Sequence, residues 1–280
     1  MSDGTAELAE VRGPSAFGGS RRRFWDLLWF TSTTDFRVRY ANTLLGYVWT
    51  ILRPLIFFGL IFLVLREILR FGANVENYGL MLVLNIVIFQ FFSEASSRAV
   101  RSVTSKEAVV RKMQFPRIVI PLSVSLTAGF TLVLNLVAVF PLFLIAGLEP
   151  RPSWLLLPLV ILVLVIFTTG LALILSVSYV RTEDTAEIWT LTARMMFYAA
   201  PIIYPIELVP DPFRTIVAMN PLAPLLEQAR VWVVDPAAPN AVEAAGVLAG
   251  LVVPLTLIAA IAIFGLWLFE REAPRVAEEL

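Results

Sequence analysis

Two arginines, Arg53 and Arg194, fall inside stretches of the chain that are otherwise almost wholly apolar. A guanidinium surrounded by hydrocarbon is costly, so such a residue normally faces a cavity, an interface or a partner of opposite charge. Arg53 also lies within snorkelling reach of a membrane surface. Polar residues recur nearby at helical spacing: Asn85, Phe89, Ser93 and Ser97 form one stripe, and Ser123, Thr127, Thr131 and Asn135 another. Asn42, Gly46, Trp49 and Arg53 share one side of a third segment. Small polar stripes of this kind usually make helix–helix contacts, and they can also border a hydrophilic path. The seven tryptophans and twenty phenylalanines belong mostly to interfacial belts and lipid-facing surface. Some could instead offer ring faces to the C–H surfaces of sugars.

Several other chemistries are excluded. The 280 residues hold no cysteine and no histidine, which removes disulfides, Cys/His metal sites, thiol nucleophiles and a histidine base. The two lysines, Lys106 and Lys112, lack the preceding glycines of a phosphate-binding loop, so the chain does not bind a nucleotide in that way. No paired acidic motif sits within an apolar stretch. Glu183 and Asp184 occupy a short loop, where they would meet solvent or a partner. Glu94 and Arg98, one turn apart, can pair locally. The 22 basic residues balance the 22 acidic ones, so no global charge points to nucleic acid. The sequence predicts no enzyme in its own right.

The elements that must position these residues are membrane spans. Hydrophobic content is 58%, charged content 16% and mean hydropathy +0.80, far from the composition of a water-soluble domain. A hydrocarbon core of about 30 Å needs roughly 20 apolar residues per helix. That ruler gives an all-α integral membrane protein with six transmembrane helices, at about 46–65, 80–97, 118–147, 154–180, 188–204 and 241–269. The fifth is the least apolar. Residues 1–20 lack periodicity and an apolar stretch, which predicts a disordered tail and no cleavable secretory signal. Residues 271–280 read as a second tail.

Arginine and lysine distribution sets orientation. The N-terminal segment carries Arg12, Arg21, Arg22, Arg23, Arg37 and Arg39, and the loop between spans two and three carries Arg98, Arg101, Lys106, Arg111, Lys112 and Arg117. With Arg181, Arg271 and Arg275, fifteen basic residues fall on one side against five, Arg66, Arg70, Arg151, Arg214 and Arg230, on the other. Both termini are therefore predicted to be cytoplasmic. Residues 21–45 pair aromatic and leucine residues at helical spacing with basic ends, the pattern of an amphipathic helix lying in the interface. The loop 98–117 predicts a short helix ending before Pro116. Between spans five and six, prolines 201, 205, 210, 212, 221 and 224 interrupt an apolar segment. Short external re-entrant helices would reconcile the two features.

Four segments, in this order and spacing, resemble the membrane subunit of type-2 ABC exporters, in the polysaccharide-export branch that carries O-antigen, capsule and teichoic acid. Asp35-Phe-Arg-Val-Arg-Tyr leading into Leu45-Gly-Tyr-Val-Trp-Thr-Ile-Leu-Arg-Pro-Leu is similar to the family's interfacial helix and first span. Val110-Arg-Lys-Met-Gln-Phe-Pro-Arg resembles its ATPase-docking loop. Ala200-Pro-Ile-Ile-Tyr-Pro and Asn220-Pro-Leu-Ala-Pro-Leu-Leu-Glu-Gln-Ala-Arg resemble its external re-entrant region. The resemblance covers roughly residues 21–270. It implies a permease of the plasma (inner) membrane that pairs with a second copy of itself and with two separate nucleotide-binding ATPase subunits. ATP and Mg would be bound by those subunits, with no cofactor in this chain. The cargo it implies is a lipid-linked glycan moving outward between the two copies.

Residues 104–115 would then form the main docking surface, with Lys106, Arg111, Lys112, Phe115 and Arg117 facing the ATPase. Glu183 or Asp184 would stand where the family places an Arg–Asp pair, in a loop longer here than that pair requires. Trp49, Arg53, Asn85, Phe89, Arg194 and Tyr198 would line the conduit. The rival readings are the same architecture exporting a smaller lipid or drug, a membrane-bound glycan-synthesis enzyme, and a secondary transporter. The enzyme would need carboxylates facing a lipid-substrate cavity, and the secondary transporter should show inverted repeats. The sequence displays neither.

Overall fold

The computed structural model describes residues 21–41, 45–72, 75–107, 116–245 and 248–279. The tail expected at 1–20 lies outside them. Regular structure among the described residues is entirely helical, as a chain in lipid requires when it forms no closed barrel. Helix α1 spans Arg21–Ala41 and α2 spans Val48–Phe62, the latter continuing as a wider π-helical turn through Ile68. Then follow α3 (Tyr78–Val100), α4 (Val119–Ile145), α5 (Leu157–Arg181) and α6 (Thr185–Ala199). Two short helices, α7 (Asp211–Ala218) and α8 (Ala223–Val233), and the single turn α9 (Ala241–Ala245) precede the long α10 (Val253–Glu279). Pro212 and Pro224 stand in the first turns of α7 and α8, where a missing N–H costs nothing.

Five segments are long and apolar enough to cross a membrane: Val48–Ile68, Tyr78–Val100, Val119–Ile145, Pro152–Arg181 and Gly250–Ala273. The first four agree with the expected spans to within a few residues. The last begins about nine residues later than expected: Ala241–Ala245 form a short helix and Leu248–Val252 a π turn. Helix α10 continues to Glu279 through the residues expected as a C-terminal tail at 271–280, and Ala273 is buried with Phe269. The expected fifth span corresponds to α6, whose 15 residues reach only about 22 Å at ~1.5 Å per residue.

Helix α3 is the hub. Of its most apolar window 72% is buried, against 11% for the first span and 17% for the last, so those two form the rim of the bundle. Met81, Leu82, Leu84, Ile88 and Phe92 are fully enclosed by α4, α5 and α6. Phe92 stacks on Phe167 of α5 at 5.4 Å between ring centroids. The stripe Ser123, Thr127, Thr131 and Asn135 is buried in α4, and Thr127 donates to the Ser32 carbonyl of α1 at 3.2 Å. That stripe packs helices. At the crossing of α5 and α10, Gly170 and Gly265 meet backbone to backbone: a Cβ on Gly170 would sit 2.5 Å from the Ala262 Cα.

The bundle has two chemically distinct ends. At one, Phe24, Val103, Ile118, Ile120, Val177, Phe269 and Ala273 form one apolar cluster. That cluster gathers α1, the end of α3, the start of α4 and the ends of α5 and α10. At the other end, the Tyr78 hydroxyl donates to the Ile203 carbonyl at 2.7 Å and Trp154 donates to the Val233 carbonyl at 3.0 Å. A buried charge network ties the short helices there: Arg230 is bracketed by Glu207 at 2.7 Å and Glu227 at 3.5 Å, with Asp235 at 3.7 Å. Burial pushes the Glu227 carboxyl up to about 7, against the opposing pull of the Arg230 guanidinium.

Candidate functional site

A groove of about 670 Å³ lies between α2, α3 and α6, with Thr131 of α4 at its back. Each wall is one helical face, built by spacing of three and four residues. Thr50, Arg53, Pro54 and Phe57 come from α2, Phe89, Gln90, Ser93, Glu94, Ser97 and Arg98 from α3, and Thr190, Ala193, Arg194, Phe197 and Tyr198 from α6. Because α2 and α6 run antiparallel to α3, Arg53, Glu94, Arg98 and Thr190 gather at one end. Phe57, Phe89, Phe197 and Tyr198 gather further along. Phe197 lies 5.6 Å from Phe57 and 5.2 Å from Phe89 between centroids. The groove is thus cationic and hydroxylated at one end and aromatic towards the other.

Four of the six expected conduit residues, Arg53, Phe89, Arg194 and Tyr198, line this groove. Trp49 stands behind the rim, with the Arg53 guanidinium 6.0 Å from its ring centroid. Asn85 lies elsewhere. It is buried, and its amide donates to the Pro201 carbonyl at 3.1 Å, holding the chain as it leaves α6. The proline frees carbonyls that a side-chain amide then satisfies. Trp189 of α6 donates to the Ser96 hydroxyl of α3 at 3.2 Å, so the groove walls are joined by packing and hydrogen bonds together. The outer side of α6 is apolar and open, with Ile188, Leu191 and Met195 exposed.

Of the residues expected to dock a motor, those described fall at the end of the bundle that holds both α1 and the last turns of α10. Lys106 pairs with Asp35 of α1 at 2.7 Å. Arg117 donates to the Ala273 carbonyl, and Arg181 pairs with Glu272 at 2.5 Å, so α10 fastens the starts of α4 and the end of α5. Glu183 and Asp184 project from the exposed turn between α5 and α6. Arg111, Lys112 and Phe115 lie outside the described residues, as does most of the expected surface 104–115; Thr104–Lys106 forms a single 3₁₀ turn.

Sequence reasoning missed two features of this site. Glu94 accepts from Arg39 of α1 as well as from Arg98, so it joins α1 to the groove across 55 residues of chain. The α10 clamp was also missed, although Phe269 and Ala273, one turn apart, carried its apolar signal.

Residues 26–233 match the family described as ABC-2 type transporter. The chain is 30% identical to an O-antigen export system permease protein, RfbA, of Klebsiella pneumoniae, over 72% of this chain and 78% of the relative. It is 25% identical to a protein of the same name from Myxococcus xanthus, over 88% of this chain and 92% of the relative.

Proposed function

This chain belongs to the ABC-2 type transporter family, and on that premise we propose that it is the channel-forming permease of an ATP-driven polysaccharide exporter. Its cargo is a lipid-linked glycan, moved from the cytoplasmic to the outer face of the plasma membrane. The carrying observation is the groove between α2, α3 and α6, which has cations at one end and four aromatic rings further along. A second copy, facing its own groove across α2 and α6, would close two half-channels into one. The weak burial of the first span and the apolar outer side of α6 support that pairing.

Six crossings fit the gathered ends better than five. Phe24 of α1 and Phe269 with Ala273 of α10 share one cluster, which supports an even number of crossings. Helix α6, with the extended residues after it reaching Pro201 and Ile202 beside Asn85, supplies the sixth. The short helices α7 and α8 then act as an external re-entrant element. On this reading both termini are cytoplasmic, because basic residues are three times as many in the N-terminal, second-to-third-span and C-terminal segments with Arg181 as in the alternate loops, and the described parts of those segments meet at the shared end. Two separate ATPase subunits bind ATP and Mg and dock there, against Lys106, Arg111, Lys112, Phe115, Arg117 and the exposed Glu183–Asp184 turn.

Tyr198→Ala and Trp49→Ala test the conduit. A ring contact contributes about 0.5–1.5 kcal/mol, so export by the Tyr198 variant should fall by up to about tenfold while co-purification with the ATPase is retained. Trp49, standing behind Arg53, should give a smaller loss. Glycan flux is measured at the cell surface. Unchanged flux in both variants would reduce these rings to packing.

A further inference from the structure

We propose that Glu227 turns the buried ion cluster of the short helices into a pH-dependent latch, which holds the turn Ile206–Leu208 on α8 when Glu227 is protonated and loosens it when Glu227 is ionised. Glu227 is 2% exposed. One of its carboxyl oxygens accepts the Ile206 N–H at 3.2 Å, and the other stands 3.5 Å from Nη1 of Arg230. The Arg230 fork is spent on Glu207, at 2.7 and 3.0 Å. Asp235 lies 3.7 Å from the same guanidinium, and the Arg230 Nε is buried without an acceptor among the described residues. One cation thus serves three carboxylates. With all three ionised the cluster carries two excess negative charges, and a proton on Glu227 halves that excess.

Glu227 is the member that takes the proton. It has the least water and only a long contact with the guanidinium. Burial raises its carboxyl to about 7, against the pull of Arg230 and with the push of the Glu207 charge. Groups on the elements packed against α8 are engaged elsewhere. Tyr78 of α3 donates to the Ile203 carbonyl, Asp211 and Arg214 of α7 pair at 3.1 Å, and Glu243 of α9 accepts the Asn240 N–H at 3.1 Å. Glu94 and Arg98 of α3, with Tyr179 and Arg181 of α5, stand at the opposite end of the bundle. The turns 152–156 and 248–252 carry no titratable side chain, and Arg151 before the first is exposed. The chain has no histidine to titrate near pH 7 in place of Glu227.

The latch stands in series with a wall of the groove. Ile206 is itself buried, packed with Ala218 and Val217 of α7. Arg214 donates to the Val209 and Glu207 carbonyls at 3.2 and 3.4 Å, so α7 moves with the turn. Upstream, residues 201–205 lead straight from the end of α6, and Asn85 and Tyr78 hold carbonyls of that link. The sign of the pH effect follows from linkage. Folded Glu227 holds its proton up to about 7, whereas the ordinary carboxyl releases it near 4.5. The stabilisation is therefore whole below about 4.5 and is lost as pH rises through about 7. Acid on the outer side fastens the element, and neutral to alkaline pH frees it. The outward placement rests on the export reading above; the latch itself does not.

The test uses the full chain in nanodiscs, without cargo or ATPase. It follows hydrogen–deuterium exchange of residues 203–233 at about pH 5.5 and pH 8, corrected for the intrinsic pH dependence of exchange. The parent should open about tenfold more readily at the higher pH, with a midpoint near 7, while α5 stays equally protected at both. Glu227→Gln keeps an acceptor for the Ile206 N–H and removes the charge, so it should stay protected at both values. Glu207→Gln removes a repelling charge and frees the guanidinium for Glu227, so its midpoint should fall by about one unit or more. Equal protection of the parent at both pH values would overturn the proposal, as would a pH step that persists in Glu227→Gln. Where Glu227→Gln does not elute as the parent does, the Glu207→Gln midpoint decides. A shift to acid pH supports the latch, and an unmoved midpoint overturns it. Exchange is measured without transport, so a failed export reading leaves this result standing, and the reverse holds too.

Discussion

Gly265→Ala is expected to prevent stable folding of the bundle. Helices α5 and α10 make the most extensive helix pair in the molecule, and their closest approach has no side chain between the backbones. A methyl group on Gly265 falls on the carbonyl oxygen and carbon of Gly170, and these are backbone atoms that cannot swing aside. The two helices would have to separate along their length, which loses packing, the principal attraction between helices in lipid. Overpacking a well-fitted interior costs about 1–3 kcal/mol, and rigid backbone on both sides places this case at or above the upper end. The last turns of α10 also fasten Arg117 and Arg181, so displacement would spread to the end of the bundle where the ATPase is proposed to dock. Thermal unfolding in detergent should shift by several degrees or the protein should fail to elute as one species. Gly129→Ala, where a Cβ meets open space, is the control. Equal stability of the two variants would show that the helices do not meet as described.

Arg111→Glu/Lys112→Glu is expected to abolish export almost completely while leaving the permease folded. These residues follow the turn Thr104–Lys106 and precede Pro116, in the stretch that leads from α3, the hub of the bundle, into α4. On the proposed docking, force applied there by a closing ATPase would reach the groove wall through α3. Reversing two charges changes the local balance by four units, and against an acidic docking partner it would turn attraction into repulsion, at several kcal/mol for close like charges. The ATPase should still hydrolyse ATP, but the surface glycan should drop by two orders of magnitude or more. Full export by the double variant would remove the docking role from this loop.

Much of this architecture was legible in the chain, and the reasons are physical. Spans two, three and four were placed well because lipid imposes a length and a polarity that residues 78–100, 119–145 and 152–181 satisfy without help from partners. The start of the last span was misplaced because the mostly apolar sequence of residues 241–249 gives no sign that Ala241–Ala245 form a separate short helix and Leu248–Val252 a π segment. Arg53, Phe89, Arg194 and Tyr198 stand together in one groove, and a charge or a ring at helical spacing in an apolar stretch is the signal that pointed to them. Asn85 carried the same signal, but its partners are the carbonyls of Pro201 and Ile202, more than a hundred residues away. Polarity reveals that a group needs a partner and not which one. The same limit hid the Arg39–Glu94 pair, whereas the local Glu94–Arg98 pair was visible. The Gly170–Gly265 crossing was equally silent, because two lone glycines in different helices have no periodicity to reveal them.

The groove and its closure by a second copy are tested most directly by trapping the cargo in place. A photoreactive benzoylphenylalanine at position 198 faces the groove, and one at position 263 sits on the exposed outer side of α10. The native chain has no cysteine, so a single reporter cysteine on each copy can fix the two permeases together without background. Under ATP turnover in cells making the glycan, illumination should attach sugar to position 198 in cross-linked permease pairs and leave position 263 unlabelled. Sugar attached at 263 and absent at 198, with export intact, would contradict the conduit and the pairing that closes it.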